Sequence, residues 1–127
     1  MAGITGICKE VLERTEWIAI ATAGADGPHV VATWGDYMRA LGVTKDELLI
    51  PVGGMRKTQA NLARDSRVEL LFGSRQVRGT HGPGKGCGIT GTAVIHTAGA
   101  KFDAVKAKFP WARAVLVVQV ETVTEQL

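Results

Sequence analysis

Cysteine is scarce in this chain: there are two, Cys8 and Cys87, far apart and in no CxxC or metal-ligand pattern. A single disulfide is compatible with that count, but the expectation is two free, buried thiols in a reducing cytosol. Charge runs are missing as well. No five consecutive residues share a sign, which excludes a basic arm or an acidic tail. Long apolar runs are absent too. The most apolar stretch, residues 114–120, is far too short to span a bilayer. Residues 1–14 carry Lys9, Glu10 and Glu13 in an amphipathic pattern, unlike a signal peptide. A cytoplasmic chain without membrane contact is therefore expected.

Hydrolytic and metal chemistry lack their signatures. His29, His81 and His96 show no ligand spacing, and there is no HExxH, no GxSxG and no carboxylate pair of evident proximity. No metal site and no catalytic residue can be assigned. Any chemistry must come from a cofactor. Aromatic and basic residues do not interleave along a strand face, which excludes an RNA-binding sheet.

What is present suits one globular domain, 1–127. The chain is 46% apolar and 21% charged, a balance that supports a single core. Fifteen Lys and Arg against twelve Asp and Glu give a formal charge of +3. So mild an excess fits an anionic ligand and fits an ordinary basic surface.

Apolar periodicity predicts a helix over 2–14, from Ile4, Ile7, Cys8, Val11 and Leu12. Two strands, 17–22 and 29–34, flank the turn residues Gly24-Ala25-Asp26-Gly27 and predict a hairpin. Further strands are expected at 47–52, 67–74, 89–96 and 113–123, with helices at 55–65 and over Phe102 to Phe109, ended by Pro110. Residues 79–88 read as a glycine-rich loop. The expected fold is mostly β: a six-stranded antiparallel, Greek-key-like barrel with short helices. A parallel βαβ sheet is disfavoured, because the first two strands meet in a tight turn and too few connections hold a crossover helix.

Pro51-Val52-Gly53-Gly54-Met55-Arg56-Lys57-Thr58 is the most informative segment. A strand runs into two glycines and then into a helix start. Glycines permit a sharp turn and close ligand approach. The helix start offers unpaired N–H groups and partial positive charge. Arg56, Lys57 and the Thr58 hydroxyl add to both. A phosphate or carboxylate site fits this pattern, and so does a tight turn with solvated basic residues. Gly79 to Gly86 nearly matches a P-loop. It fails at Gly86, where Ser or Thr should hold magnesium, and a strand rather than a helix follows. Trp34, Tyr37 and Trp111 have the shape to line a flat heteroaromatic ring, or to pack in a core or interface.

Several ordered blocks resemble one family. They include Ala19 to Thr22, Asp26-Gly27-Pro28-His29, Thr33-Trp34, Pro51 to Met55 with Lys57-Thr58, Ala63-Arg64-Asp65, Gly73-Ser74-Arg75, Gly82-Pro83-Gly84, Trp111 to Ala114 and Leu127. In these the chain is similar to the FMN-binding split-barrel flavoproteins, which include the pyridoxamine-phosphate oxidases. The resemblance implies FMN as cofactor and a homodimer whose interface helps cover the flavin. It places the FMN phosphate near Lys57 and Thr58 with Thr33 close by, and the Pro51 to Gly54 backbone along the ring edge, followed by Met55. It puts Trp34 and Tyr37 beside the ring, and Trp111 and Leu127 against it from the second subunit. Ser74 joins the same cofactor set. Ala32, Arg56, Cys87 and Gly88 depart from the residues of a close relative in that family; Ala32 stands where it has Asn. The implied function is an FMN-binding electron-transfer protein, its redox partner protein or nicotinamide donor unspecified. The alternative is a flavin reductase or a pyridoxamine-phosphate-oxidase-like enzyme.

Overall fold

A computed structural model describes residues 3–127. The hairpin comes first. β1 (Trp17–Gly24) pairs with β2 (Gly27–Trp34) in unbroken antiparallel register, from Gly24 opposite Gly27 to Trp17 opposite Trp34. β3 (Glu47–Val52), β4 (Arg67–Arg78), β5 (Pro83–His96) and β6 (Ala114–Gln126) complete a single antiparallel sheet in the order β2-β1-β4-β5-β6-β3. The expected class holds: the sheet curls into a half-barrel. Its interior is the set of alternate residues that the pleat turns inward. Ile18 and Ile20, Leu48 and Ile50, Val68, Leu70 and Phe72, Ile89, Leu116 and Val118 are all buried there. Each contributes about 1.5–3 kcal/mol by leaving water.

The curl is sharpened where β5 crosses β6. The register shifts between Thr90 and Gly91, and a Cβ at Gly91 would collide with the Gln119 carbonyl. A glycine at such a bulge lets two backbones approach closely.

Four helices decorate the sheet: α1 (Gly6–Leu12), α2 (Gly35–Ala40), α3 (Arg56–Arg64) and α4 (Ala100–Lys108). α1 plugs the half-barrel with Cys8, Val11 and Leu12. It is shorter than expected, with Thr5 extended at its N-cap; Ala2, the first residue of the expected helix, lies outside the described residues. α2 has no counterpart among the predicted elements. Six residues with one buried apolar side chain, Met38, are too few to display a helical period. Arg39 of α2 donates to the carbonyls of Leu12 and Thr15 at 3.1 and 2.8 Å, tying α2 to the end of α1. None of the helices among the described residues is long and apolar enough to cross a membrane.

Two expectations are corrected here. Residues 83–88 are strand, not loop. Gly86, Cys87 and Gly88 pair with Gly73, Phe72 and Leu71 on one side and with β6 on the other. Glycines have no side chain to show alternation, so the strand was invisible in the pattern. Cys8 and Cys87 are not free thiols but form a disulfide, with Cα atoms 5.8 Å apart. The fold lays α1 against β5, a proximity that a sequence separation of 79 residues conceals. A crosslink closing so long a loop stabilises by restricting the unfolded chain. Reduction should lower the unfolding free energy by about 2–4 kcal/mol in urea titrations with and without dithiothreitol. Coincident curves would mean that the crosslink contributes nothing.

Candidate functional site

The two edge strands, β2 and β3, do not meet. Between them lies an open cleft of about 750 Å³. Val31, Ala32, Thr33 and Trp34 of β2 form one wall. Pro51, Gly53, Gly54 and Met55, at and after the end of β3, form the other. Trp17, Tyr37 and Trp111 complete the lining. Its volume is in the range of cofactor sites, and its walls are mainly apolar and aromatic.

An aromatic cluster stiffens the Trp111 side. Tyr37, Phe109 and Trp111 have ring centroids 5.2 to 5.6 Å apart at tilted angles. Such tilted pairs are favourable beyond their buried area. Trp111 lies so close over Gly53 that a Cβ there would sit 3.3 Å from the indole carbons. A side chain at Gly53 would have to displace the indole by a few tenths of an ångström. The left-handed residue of this turn is Met55, with φ 56°, and neither glycine takes that role.

Arg113 holds the turn. Its Nε donates to the Gly53 carbonyl at 2.9 Å and its Nη2 to the Gly54 carbonyl at 2.5 Å, while its backbone N–H donates to Val52. Partial burial, with repulsion from Arg56 as the lesser cause, pushes the Arg113 guanidinium below its ordinary range; it remains charged at neutral pH.

α3 begins directly after Met55, with no side-chain cap and no acidic residue in its first turn. The first N–H bonded back within this turn is that of Gln59, to Met55 O. The N–H groups of Arg56, Lys57 and Thr58 precede it. Thr58 is buried, and its Oγ1 has no hydrogen-bond partner. Leaving a buried hydroxyl unsatisfied costs about 1–3 kcal/mol. Lys57 is exposed and forms no ion pair among the described residues. Orphan donors, a helix N-terminus and the Lys57 cation are chemistry that favours an anion such as a phosphate.

Most of the expected site residues converge. Thr33, Trp34, Tyr37, Pro51, Gly53, Gly54, Met55 and Trp111 line one cleft, with Lys57 and Thr58 at the adjoining helix start. Trp111 lines the cleft of its own chain, where the turn before β6 is tied to Gly53 and Gly54 by Arg113. The Val52 side chain is in the core. Ser74 and Leu127 are not brought to this cleft. They line neighbouring concavities of about 530 and 460 Å³, the first of which shares Trp17 with it. Leu127 is anchored there by Lys85, whose ammonium donates to its carbonyl at 3.1 Å.

Three comparisons bear on this arrangement. A family model described as pyridoxamine 5'-phosphate oxidase matches residues 4–127. The chain belongs to the pyridoxamine 5'-phosphate oxidase family. Within reach of this family is a curated relative from Nitratidesulfovibrio vulgaris (strain DSM 19637 / Miyazaki F), an FMN-binding protein. It is 47% identical over 124 residues, covering 98% of this chain and 99% of its own length. Among solved structures, HupZ of Group A Streptococcus superposes with a TM-score of 0.77 at 22% identity, covering 97% and 99% of the two chains. A putative pyridoxamine 5'-phosphate oxidase of Lactobacillus delbrueckii gives 0.65 at 21%, covering 97% and 98%. At such identities these structures speak for the fold.

Trp17, Val31 and Arg113 were missed as site residues in the sequence. Trp17 was accessible by counting: a turn at 24–27 sets residue 17 opposite residue 34. Arg113 left no local signal, because it acts on carbonyls some 60 positions away. Thr58→Val removes the orphan hydroxyl without changing the side chain's shape. It should leave the ligand-free protein as stable as the parent or up to about 1 kcal/mol more so, measured by thermal unfolding. A marked loss of stability would show that the hydroxyl has a partner within the fold.

Proposed function

We propose that this chain binds FMN in the cleft between β2 and β3 and serves as a homodimeric electron-transfer protein. The observation that carries the reading is the buried, unpartnered Thr58 hydroxyl at an uncapped helix start, next to an aromatic cleft of about 750 Å³. The phosphate sits at Arg56 to Thr58 of α3, and the isoalloxazine ring between the β2 wall and the Gly53-Gly54 turn. The 47% identical relative is itself an FMN-binding protein. Bound FMN supplies reversible two-electron or one-electron chemistry. The chain's own residues hold the phosphate, sandwich the ring among Trp34, Tyr37 and Trp111, and partly exclude water.

Self-association has support in the outer face of the sheet. Trp17, Trp34, Val30 and Leu71 are each about half exposed or more on this face. Across the strands Ala32, Ala19, Leu71 and Gly88 stand side by side in the ladder. Small neighbours around protruding apolar side chains leave a flat ledge, a surface type that marks association sites. A second copy of the chain covers it in this reading.

Purified protein should take up one FMN per chain in an absorbance titration. Lys57→Ala should weaken FMN binding by about 1.5–3 kcal/mol, tenfold or more in Kd. Absence of FMN binding by the parent protein sinks the reading. Leu71→Glu should convert a dimer to monomers in analytical ultracentrifugation, while a monomeric parent would remove the homodimer from the proposal.

A further inference from the structure

Arg113 has a part beyond holding the chain together. Its two guanidinium nitrogens take the carbonyl oxygens of consecutive peptides, Gly53 at 2.9 Å and Gly54 at 2.5 Å. A trans peptide is planar, and its N–H points opposite to its C=O. Fixing the Gly53 carbonyl therefore aims the Gly54 N–H away from Arg113, and fixing the Gly54 carbonyl does the same for Met55. Gly53, Gly54 and Met55 all line the cleft, whereas Arg113 does not. The guanidinium stands behind a backbone that lines the cleft. The fork also explains how two exposed residues and a left-handed Met55 keep one conformation without a side-chain cap. Planar bidentate donation of this kind is a capacity of arginine that lysine lacks.

We propose that Arg113 is a positioning residue that presents the Gly54 and Met55 N–H groups to the bound ring and, with its charge behind those peptides, favours the reduced cofactor over the oxidised one. The proposal rests on the FMN reading above. Reduction adds electron density to the ring, so donors already oriented and a fixed positive charge bind the reduced form more tightly. Polarised peptide dipoles carry that charge towards the cleft without a direct contact. Arg56, whose repulsion reaches Arg113, adds to the same field.

The test is spectroelectrochemical titration of FMN-loaded parent, Arg113→Gln and Arg113→Lys protein, with FMN affinity measured for both oxidation states. A parent that binds no FMN defeats the FMN reading and ends the test there. Given a parent that binds, Arg113→Gln should lose at least tenfold more affinity for reduced than for oxidised FMN, which is about 30 mV of negative shift for a two-electron couple. Arg113→Lys keeps the charge and loses the fork, so its shift should be smaller but still at least threefold in the affinity ratio. Circular dichroism of the cofactor-free variants establishes folding. If Arg113→Gln does not fold, Arg113→Lys decides. An affinity ratio equal to the parent's in a folded variant overturns the proposal, even where overall FMN affinity falls.

Discussion

A six-stranded sheet has two edges, and closing it into a barrel would pair them. Here β2 and β3 curl towards each other without pairing, and nearly everything of functional interest follows from that open seam. Unpaired edge strands expose backbone donors and acceptors and invite association. In this chain the seam is walled by bulky aromatic groups, Trp34 and Tyr37 on the β2 side and Trp111 on the other. Tyr37 and Trp111 meet each other, and the three rings give the gap an apolar lining. The elements that leave the two edges also begin there. α2 starts at the end of β2, and α3 starts just past the end of β3. A ring-sized cleft and a helix N-terminus are adjacent because both stem from the same pair of strand ends.

The electrostatics of the site are local. A formal charge of +3 over 127 residues says little about where an anion would bind. What matters is that Arg56, Lys57 and Arg113 gather around an uncapped helix start. The Thr58 hydroxyl there is costly to leave unpaired, and the core packed by Ile18, Ile20, Leu48, Ile50 and Leu116 offsets it. Local conflicts of this kind between stability and polar satisfaction are expected at functional positions.

Much of the fold was legible in the sequence because its signals were local. The apolar, β-compatible runs flanking the turn residues Gly24 to Gly27 predict the first hairpin. The run from Pro51 to Thr58 reads as strand, turn and helix start, as observed. The failures share a cause. β5 opens with glycines, which carry no alternation, and α2 is too short for a period. The helix at Ala100–Lys108 was visible through Phe102 and Val105, whose packing against Val115 and Val117 forms a second small core outside the half-barrel. Ser74 and Leu127 entered the expected site through family resemblance, and within one chain both line the same two concavities outside the cleft.

By itself the sequence determined the strand and helix types, the hairpin, the phosphate-compatible segment and the absence of hydrolytic or metal motifs. These depend on interactions spanning a few residues, so spacing encodes them. Only the tertiary structure decided that Cys8 bonds to Cys87, that Trp17 shares a cleft with Trp111, and that Arg113 clamps the Gly53-Gly54 carbonyls. Each joins residues dozens of positions apart. The curl of the sheet brings such groups within a few ångströms, and that curl arises from twist, bulges and packing summed over all six strands.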